Sequence, residues 1–320
     1  VSQQPTWIGL QIGDFLIDSQ IAEGMFSWVY QGAHTVDGSE AAFKIAKPLD
    51  MVGLPRADKW TDTESIFIFS GGVTDVHPEP AELLLQQANK LQSCADNNLI
   101  LVSDASTQAG VSYYQMEVLD GLTLRKFMKA SPVPVQMFIE LAQALARVQN
   151  NPNFGYHGDI KPDHVLFGAR GPKLIDPGFF GLVNCQEGEA LDCIVTTSAY
   201  YPLLKPDDLF AFGIMLWEVA CRQHPLRLAA VQNQTVGNGL DNLVRSYENV
   251  AQYFLSPLMN IVRPCSLRPE MTNELETVLL RAMRLRIDES GNVDSGDGYR
   301  SFNELVAALE QLQEVGILSL

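Results

Sequence analysis

Asp159 and Lys161 stand two residues apart in the run His-Gly-Asp-Ile-Lys-Pro-Asp-His-Val-Leu-Phe at 157–167, and Asp176 follows in Lys-Leu-Ile-Asp-Pro-Gly at 173–178. That spacing suits phosphoryl transfer, in which a protein mostly holds a hydroxyl in line, neutralises the transferring group and keeps a divalent metal between phosphates. Asp159 falls in a loop after a helix-like run at 137–148, where a carboxylate accepts the hydroxyl's proton and Lys161 reaches phosphoryl oxygens. Asp176 ends a short apolar strand at 173–175 beside a glycine, a placement suited to magnesium, a hard cation that prefers oxygen. Either aspartate alone is as readily a turn or cap residue. The rest of the chain decides.

From Ile21 through Gly24 to Val29 and Tyr30 the apolar residues alternate as in a hairpin that folds over phosphates, and Lys44 follows in Ala-Ala-Phe-Lys. These stretches resemble the glycine-rich loop and third strand of protein kinases. Residues 113–121, Tyr-Tyr-Gln-Met-Glu-Val-Leu-Asp-Gly, resemble the fifth strand and hinge; 208–213 resemble the start of the large buried helix; Arg300-Ser-Phe-Asn-Glu-Leu resembles the motif near the last helices. With six motifs in the family's order, the chain is identified as an atypical member of the eukaryotic-like Ser/Thr protein kinases, and the match covers nearly all of it. The resemblance implies an α+β, two-lobe kinase-like fold in one domain over 1–320. A small β-rich N-lobe with one main helix spans 1–120, and a larger, mainly helical C-lobe spans 121–320.

The resemblance also implies roles. Ile21, Val29, Ala42 and Leu166 would sandwich adenine, with Met116 as gatekeeper and backbone groups of Glu117 and Leu119 bonding its edge. Gly24 would let the loop approach phosphates, and Lys44 would hold the α- and β-phosphates of ATP. Asp159 would orient the substrate hydroxyl, Lys161 would steady the γ-phosphate, and Asp176 would ligate Mg2+ or Mn2+. The N-lobe glutamate that pairs with Lys44 is expected to be Glu82, with Glu79 second.

Departures from the family pattern bear on activity. Ala22 and Ser27 replace two loop glycines, so Gly24 alone keeps the permissive backbone. His164 stands where the family has a metal-binding asparagine, and an imidazole favours manganese over magnesium. Pro177 replaces a phenylalanine, and its locked φ stiffens the turn after Asp176. Gly158 replaces the arginine that reads a phosphorylated activation loop, so activation by loop phosphorylation is not expected. Leu203 replaces the glutamate that would pair with Arg300, which puts peptide recognition in doubt.

The elements that must position these residues read as follows. Residues 17–47 form a hairpin plus a third strand with a turn at 36–39, 80–93 a helix, and 99–103 and 112–118 two further strands. Between 48 and 80 runs a long connection whose Ser-Ile-Phe-Ile-Phe-Ser-Gly-Gly at 65–72 suggests an extra strand and a docking or regulatory element. Helices are expected at 134–149, 207–221, 238–253, 273–287 and 301–314.

With 38 acidic against 22 basic residues, the chain has a formal net charge of −16, which opposes nucleic-acid binding and is read first as solubility, second as attraction for a basic protein. Five cysteines without zinc-motif spacing point to free thiols and a reducing, cytoplasmic setting, with Cys185 and Cys193 as a candidate redox pair in the activation segment. No apolar run reaches the length of a membrane span and no signal peptide opens the chain. The first residue, Val1, suggests a domain excised from something longer. Three functions follow: a protein Ser/Thr kinase with a protein substrate, a pseudokinase that binds nucleotide or a partner protein, or a small-molecule kinase of the aminoglycoside and choline type, which also uses His-Gly-Asp.

Overall fold

A computed structural model describes residues 7–48, 51, 66–69, 79–168, 171–184, 190–197, 199–201, 205–225 and 261–320. Its N-terminal part is a six-stranded antiparallel sheet in the order β1-β2-β3-β4-β7-β6, with β1 Gln11–Ile12, β2 Phe15–Glu23, β3 Ser27–His34, β4 Glu40–Ala46, β6 Val102–Gln108 and β7 Val111–Met116. Strand β4 explains how the sheet carries a site. Successive side chains point to opposite faces, so Ala41, Phe43 and Ile45 join Trp28, Tyr30 and Tyr113 in one small cluster. Ala46, on the other face, packs with Leu84 and Ala88 of helix α1, Pro80–Ser93, and Lys44 shares that face.

The C-terminal part is built on α4, Asp208–Cys221, buried on every side. A helix apolar all round belongs in a core. Gly213 is required there, because a Cβ would lie 2.7 Å from the Ala282 carbonyl carbon of a neighbouring helix. Around α4 pack α2 Leu124–Ala130, α3 Val135–Asn150, α5 Pro264–Leu267, α6 Asn273–Ala282 and α7 Phe302–Glu314. A small sheet, β10-β9-β8, joins β8 Leu122–Thr123, β9 Val165–Gly168 and β10 Gly171–Leu174.

Several expectations shift. The two N-lobe strands begin later and earlier than expected, because Ala109 and Gly110 both take positive φ and make a two-residue hairpin turn. The helix expected at 273–287 stops at Ala282: Arg284 adopts φ 57°, and β13 Leu285–Ile287 pairs with β14 Val293–Ser295. The helix expected at 238–253 lies outside the described residues. The strand expected in the connection after Lys47 is β5, Ile66–Phe69, and it joins β11 Phe179–Asn184 and β12 Ala190–Thr196 in a third sheet, ordered β11-β12-β5.

Candidate active site

The loop that carries Asp159 hangs from the buried N-terminus of α4. Asp208 accepts backbone N–H bonds from His157 at 2.6 Å and Gly158 at 2.8 Å, and the Tyr201 hydroxyl donates to the same carboxylate at 2.7 Å. Burial pushes the Asp208 carboxyl up to about 6 despite those donors. The Tyr201 oxygen accepts from Ile160 N–H at 3.0 Å, so Tyr201 and Asp208 together hold the loop on both sides of Asp159. His157 is buried, with Nε2 3.1 Å from the Ile175 carbonyl oxygen; burial and the neighbouring His164 push its imidazole down to about 3. It packs as a neutral ring and ties the catalytic loop to the strand that leads into Asp176.

Asp159 and Lys161 converge as the sequence suggests. Asp159 accepts from the Thr197 N–H at 2.8 Å, Lys161 Nζ lies 3.5 Å from its carboxylate, and Lys161 donates to the Thr197 hydroxyl oxygen at 2.7 Å. Burial works against charge on Asp159, but Lys161 and His164 hold its pKa below the ordinary carboxylate value. The group stays an anion and a proton acceptor. Thr197 joins the candidate site although no motif or spacing in the sequence marks it.

On the opposite side Lys44 Nζ meets Asp176 Oδ1 at 2.7 Å. Burial opposes both charges, yet each holds the other ionised: Asp176 sits at about 2 and Lys44 above its usual value. Asp176 takes φ 53°, a left-handed conformation that aspartate tolerates better than most residues. Gly178 follows it closely against the catalytic loop, its N–H donating to the His157 carbonyl at 2.8 Å; a Cβ there would lie 2.4 Å from the Gly158 oxygen.

The expected glutamate partner of Lys44 is corrected. Glu82 does not meet Lys44; it accepts from Gln86 at 3.2 Å, while Glu79 is the residue that precedes α1. Gln87 Oε1 accepts from Lys44 at 3.2 Å instead. Helical spacing gives the reason: Leu83, Leu84, Gln87 and Leu91 share the face that packs on the sheet, and Glu82 lies off it.

His164 turns Nδ1 onto Asp159, 2.9 Å from its backbone oxygen and 3.3 Å from its carboxylate, leaving Nε2 as the ring's remaining ligand atom. Asp176 and His164 are the groups that would hold a cation. Among the described residues no cluster of three or more His, Cys, Asp or Glu forms a metal site, so a cation here would take its remaining ligands from phosphate and water, as the donor chemistry of a nucleotide site allows.

The residues expected around adenine lie on two sheets. Val29 pairs with Lys44 and Ala42 with Met116 in register; Leu166 of β9 faces Lys173 and Thr123 across its ladder. The Glu117 N–H donates to the Leu101 oxygen at 3.0 Å, and Leu119 packs against the core. The Glu117 carboxylate meets Lys173 at 2.6 Å, tying the hinge to β10. Ile21 is about half exposed on β2. The Gly24 loop is pinned from below by Lys47, which bonds Glu23 at 2.6 Å and lies 5.4 Å above the Trp28 ring. A Cβ at Gly24 would meet nothing closer than 3.7 Å, so the fold itself does not demand glycine there.

Leu203 and Cys185 lie outside the described residues. Arg300 donates its N–H to Glu304 at 3.1 Å, while Arg284 bonds the Asp207 side chain that caps α4. Cys94, Cys221 and Cys265 are free thiols. No helix among the described residues is long and apolar enough to cross a membrane.

No family model matches the sequence. It is 23% identical over 227 residues to a probable serine/threonine-protein kinase of Clostridium acetobutylicum, covering 66% of this chain and 30% of that protein. It is 22% identical over 295 residues to the probable serine/threonine-protein kinase PknB of Lactococcus lactis, covering 85% of this chain and 40% of the relative. The chain thus spans about a third of the length of these relatives. Among solved structures, the PknI kinase domain of Mycobacterium tuberculosis superposes with a TM-score of 0.56 at 13% identity, covering 97% of this chain and all of that one. A structure titled PpkA-294 apo form gives 0.57 at 16% identity, again over 97% of this chain and 100% of that chain. The fold is that of protein kinase domains, and the sequence relatives are bacterial proteins named as probable Ser/Thr protein kinases, which the chain resembles in the order of its motifs.

Proposed function

We propose that this chain transfers the γ-phosphoryl group of ATP to a Ser or Thr hydroxyl of a protein. The observation that carries the reading is the convergence of Asp159, Lys161 and Thr197. Thr197 and Lys161 fix an ionised carboxylate in a buried loop, where it can accept a hydroxyl's proton as the oxygen attacks. Lys161 puts a cation beside the transferring group, and Lys44 puts another where the leaving phosphates would lie. Asp176 gives one oxygen to Lys44 and keeps the other for a divalent cation, which when bound neutralises charge between the phosphates. The identity of the curated relatives favours a protein acceptor over an aminoglycoside or choline.

The test is Asp159→Asn, which keeps the shape and removes the base. Phosphate transfer should be abolished, with ATP affinity and melting temperature nearly unchanged. Transfer at the wild-type rate would refute the assignment.

A nucleotide-binding scaffold is the second reading. Two observations favour it: the α1 partner of Lys44 is a neutral amide, and His164 is turned onto Asp159. If ATP with magnesium or manganese raises the melting temperature while no protein acceptor is phosphorylated, the scaffold reading stands in place of the enzyme.

A further inference from the structure

Strand β12 ends on the catalytic loop. The Thr196 hydroxyl donates to the Gly158 carbonyl at 2.7 Å, and the next residue, Thr197, is the one that binds both Asp159 and Lys161. On one edge β12 pairs with β11, from Phe179↔Val195 to Asn184↔Ala190. On the other edge it pairs with β5, from Cys193↔Phe69 to Thr196↔Ile66. That second ladder therefore reaches the residue adjacent to Thr197.

A lone two-stranded hairpin is marginal in water, and a third strand with apolar residues is what ordinarily stabilises it. Ile66–Phe69 is such a strand: four apolar residues of high β propensity that cover the second edge of β12 from Cys193 to Thr196, the end nearest Thr197. The base of the hairpin is held separately. Phe180 packs on the Tyr156 ring at 5.6 Å and the Tyr201 ring at 6.0 Å, and the Tyr156 hydroxyl donates to the Phe180 carbonyl at 2.6 Å.

The origin of β5 in the chain gives the contact its meaning. It lies between β4, which carries Lys44, and α1, which carries Gln87. Those two residues contact Asp176 and the Pro177 carbonyl. One covalent stretch thus holds the nucleotide-side cation at its two ends and seats the Thr197 strand in its middle.

We propose that Ile66–Phe69 is a positioning element for phosphoryl transfer, which pairs along β12 to hold Thr196 and Thr197 against the catalytic loop. The role in transfer rests on the kinase reading above; the pairing itself does not. It supplies by strand addition an order that a phosphate on the loop would otherwise have to impose.

The test replaces Ile66–Phe69 in the full chain with a glycine-serine linker of equal length. Amide exchange across 190–197 should accelerate about tenfold or more, and turnover should fall by about the same factor with ATP affinity within about twofold. Unchanged exchange would overturn the proposal, and so would a rise in turnover, which would mean that the strand covers the site. A second variant, Phe69→Cys, puts a thiol opposite Cys193, at cross-strand spacing that a disulfide can bridge. Mild oxidation should form that cross-link and leave turnover intact; absence of the cross-link, or its formation with turnover lost until reduction, would overturn the proposal. If the wild-type protein transfers no phosphate, the kinase reading fails, and the exchange and cross-linking results still decide the pairing.

Discussion

Gln87 touches Lys44 and the turn after Asp176 at once: its Oε1 accepts from Lys44 at 3.2 Å, and its Nε2 donates to the Pro177 carbonyl at 2.6 Å. A carboxylate at this position would do only the first. With Asp176 already supplying the counter-charge to Lys44 at 2.7 Å, the amide links α1 to the turn after Asp176 and adds no third charge.

Gln87→Glu should therefore destabilise the fold, since it repels the Pro177 carbonyl and leaves it without its donor, at a cost on the order of 1–3 kcal/mol. Gln87→Ala should lose both contacts and weaken ATP binding as well. Chemical denaturation and ATP titration of the two variants check this. A glutamate variant as stable as the wild type would show that the Pro177 contact contributes nothing.

His164 should set the metal preference. With Nδ1 committed to Asp159, only Nε2 is left to ligate, and a nitrogen ligand favours manganese over magnesium. Wild-type ATP binding and transfer should be stronger with manganese, and His164→Asn should move the preference toward magnesium. Equal preference in both proteins would mean that the ring serves Asp159 alone.

Much of this site is legible in the sequence because its residues are local in the chain. Asp159, Lys161 and Asp176 fall in two short motifs, and Lys44 falls on a strand whose alternation fixes its face. Gln87 was not legible. The helix at 80–93 is legible, but its sheet-facing side is defined by Leu83, Leu84 and Leu91, and a neutral amide between them carries no sign of pairing with a lysine, whereas the carboxylate of Glu82 does. Thr197 and the partner of β5 were hidden for another reason: both depend on contacts more than thirty residues distant, which no local pattern encodes.

Acid should weaken the fold through His157. Its folded pKa of about 3 lies below the ordinary 6.5, so between those values the unfolded chain binds a proton that the folded chain refuses. Stability then rises with pH across that window and levels off above it. Asp208 acts oppositely. Its folded pKa of about 6 lies above the ordinary 3.8, so its contribution is fully present at low pH and is lost as pH rises through 6. Above pH 5 the His157 gain runs up to its ordinary 6.5 and the Asp208 loss only up to about 6, and His164, also lowered by burial, acts in the same sense as His157, so net stability should increase modestly from pH 5 to pH 7.5. Urea unfolding at the two values checks this, and His157→Asn should flatten or reverse the dependence. A wild-type protein equally stable at both would show that the buried imidazole accepts its proton without cost.

Gly158 should be irreplaceable for steric reasons rather than for lack of charge. Its φ is 81°, and a Cβ would lie 3.1 Å from Tyr156 Cδ2 and 3.2 Å from Phe180 Cε2, inside the aromatic cluster at the base of β11. Gly158→Ala should cost on the order of 1–3 kcal/mol, the range for a side chain forced into a left-handed backbone. Gly158→Arg should be worse, and it should not create a response to loop phosphorylation, because Phe180 already occupies the space beside the loop. In the wild type, phosphatase treatment should leave transfer unchanged. A several-fold loss of activity after dephosphorylation would show that another basic residue reads a phosphate here.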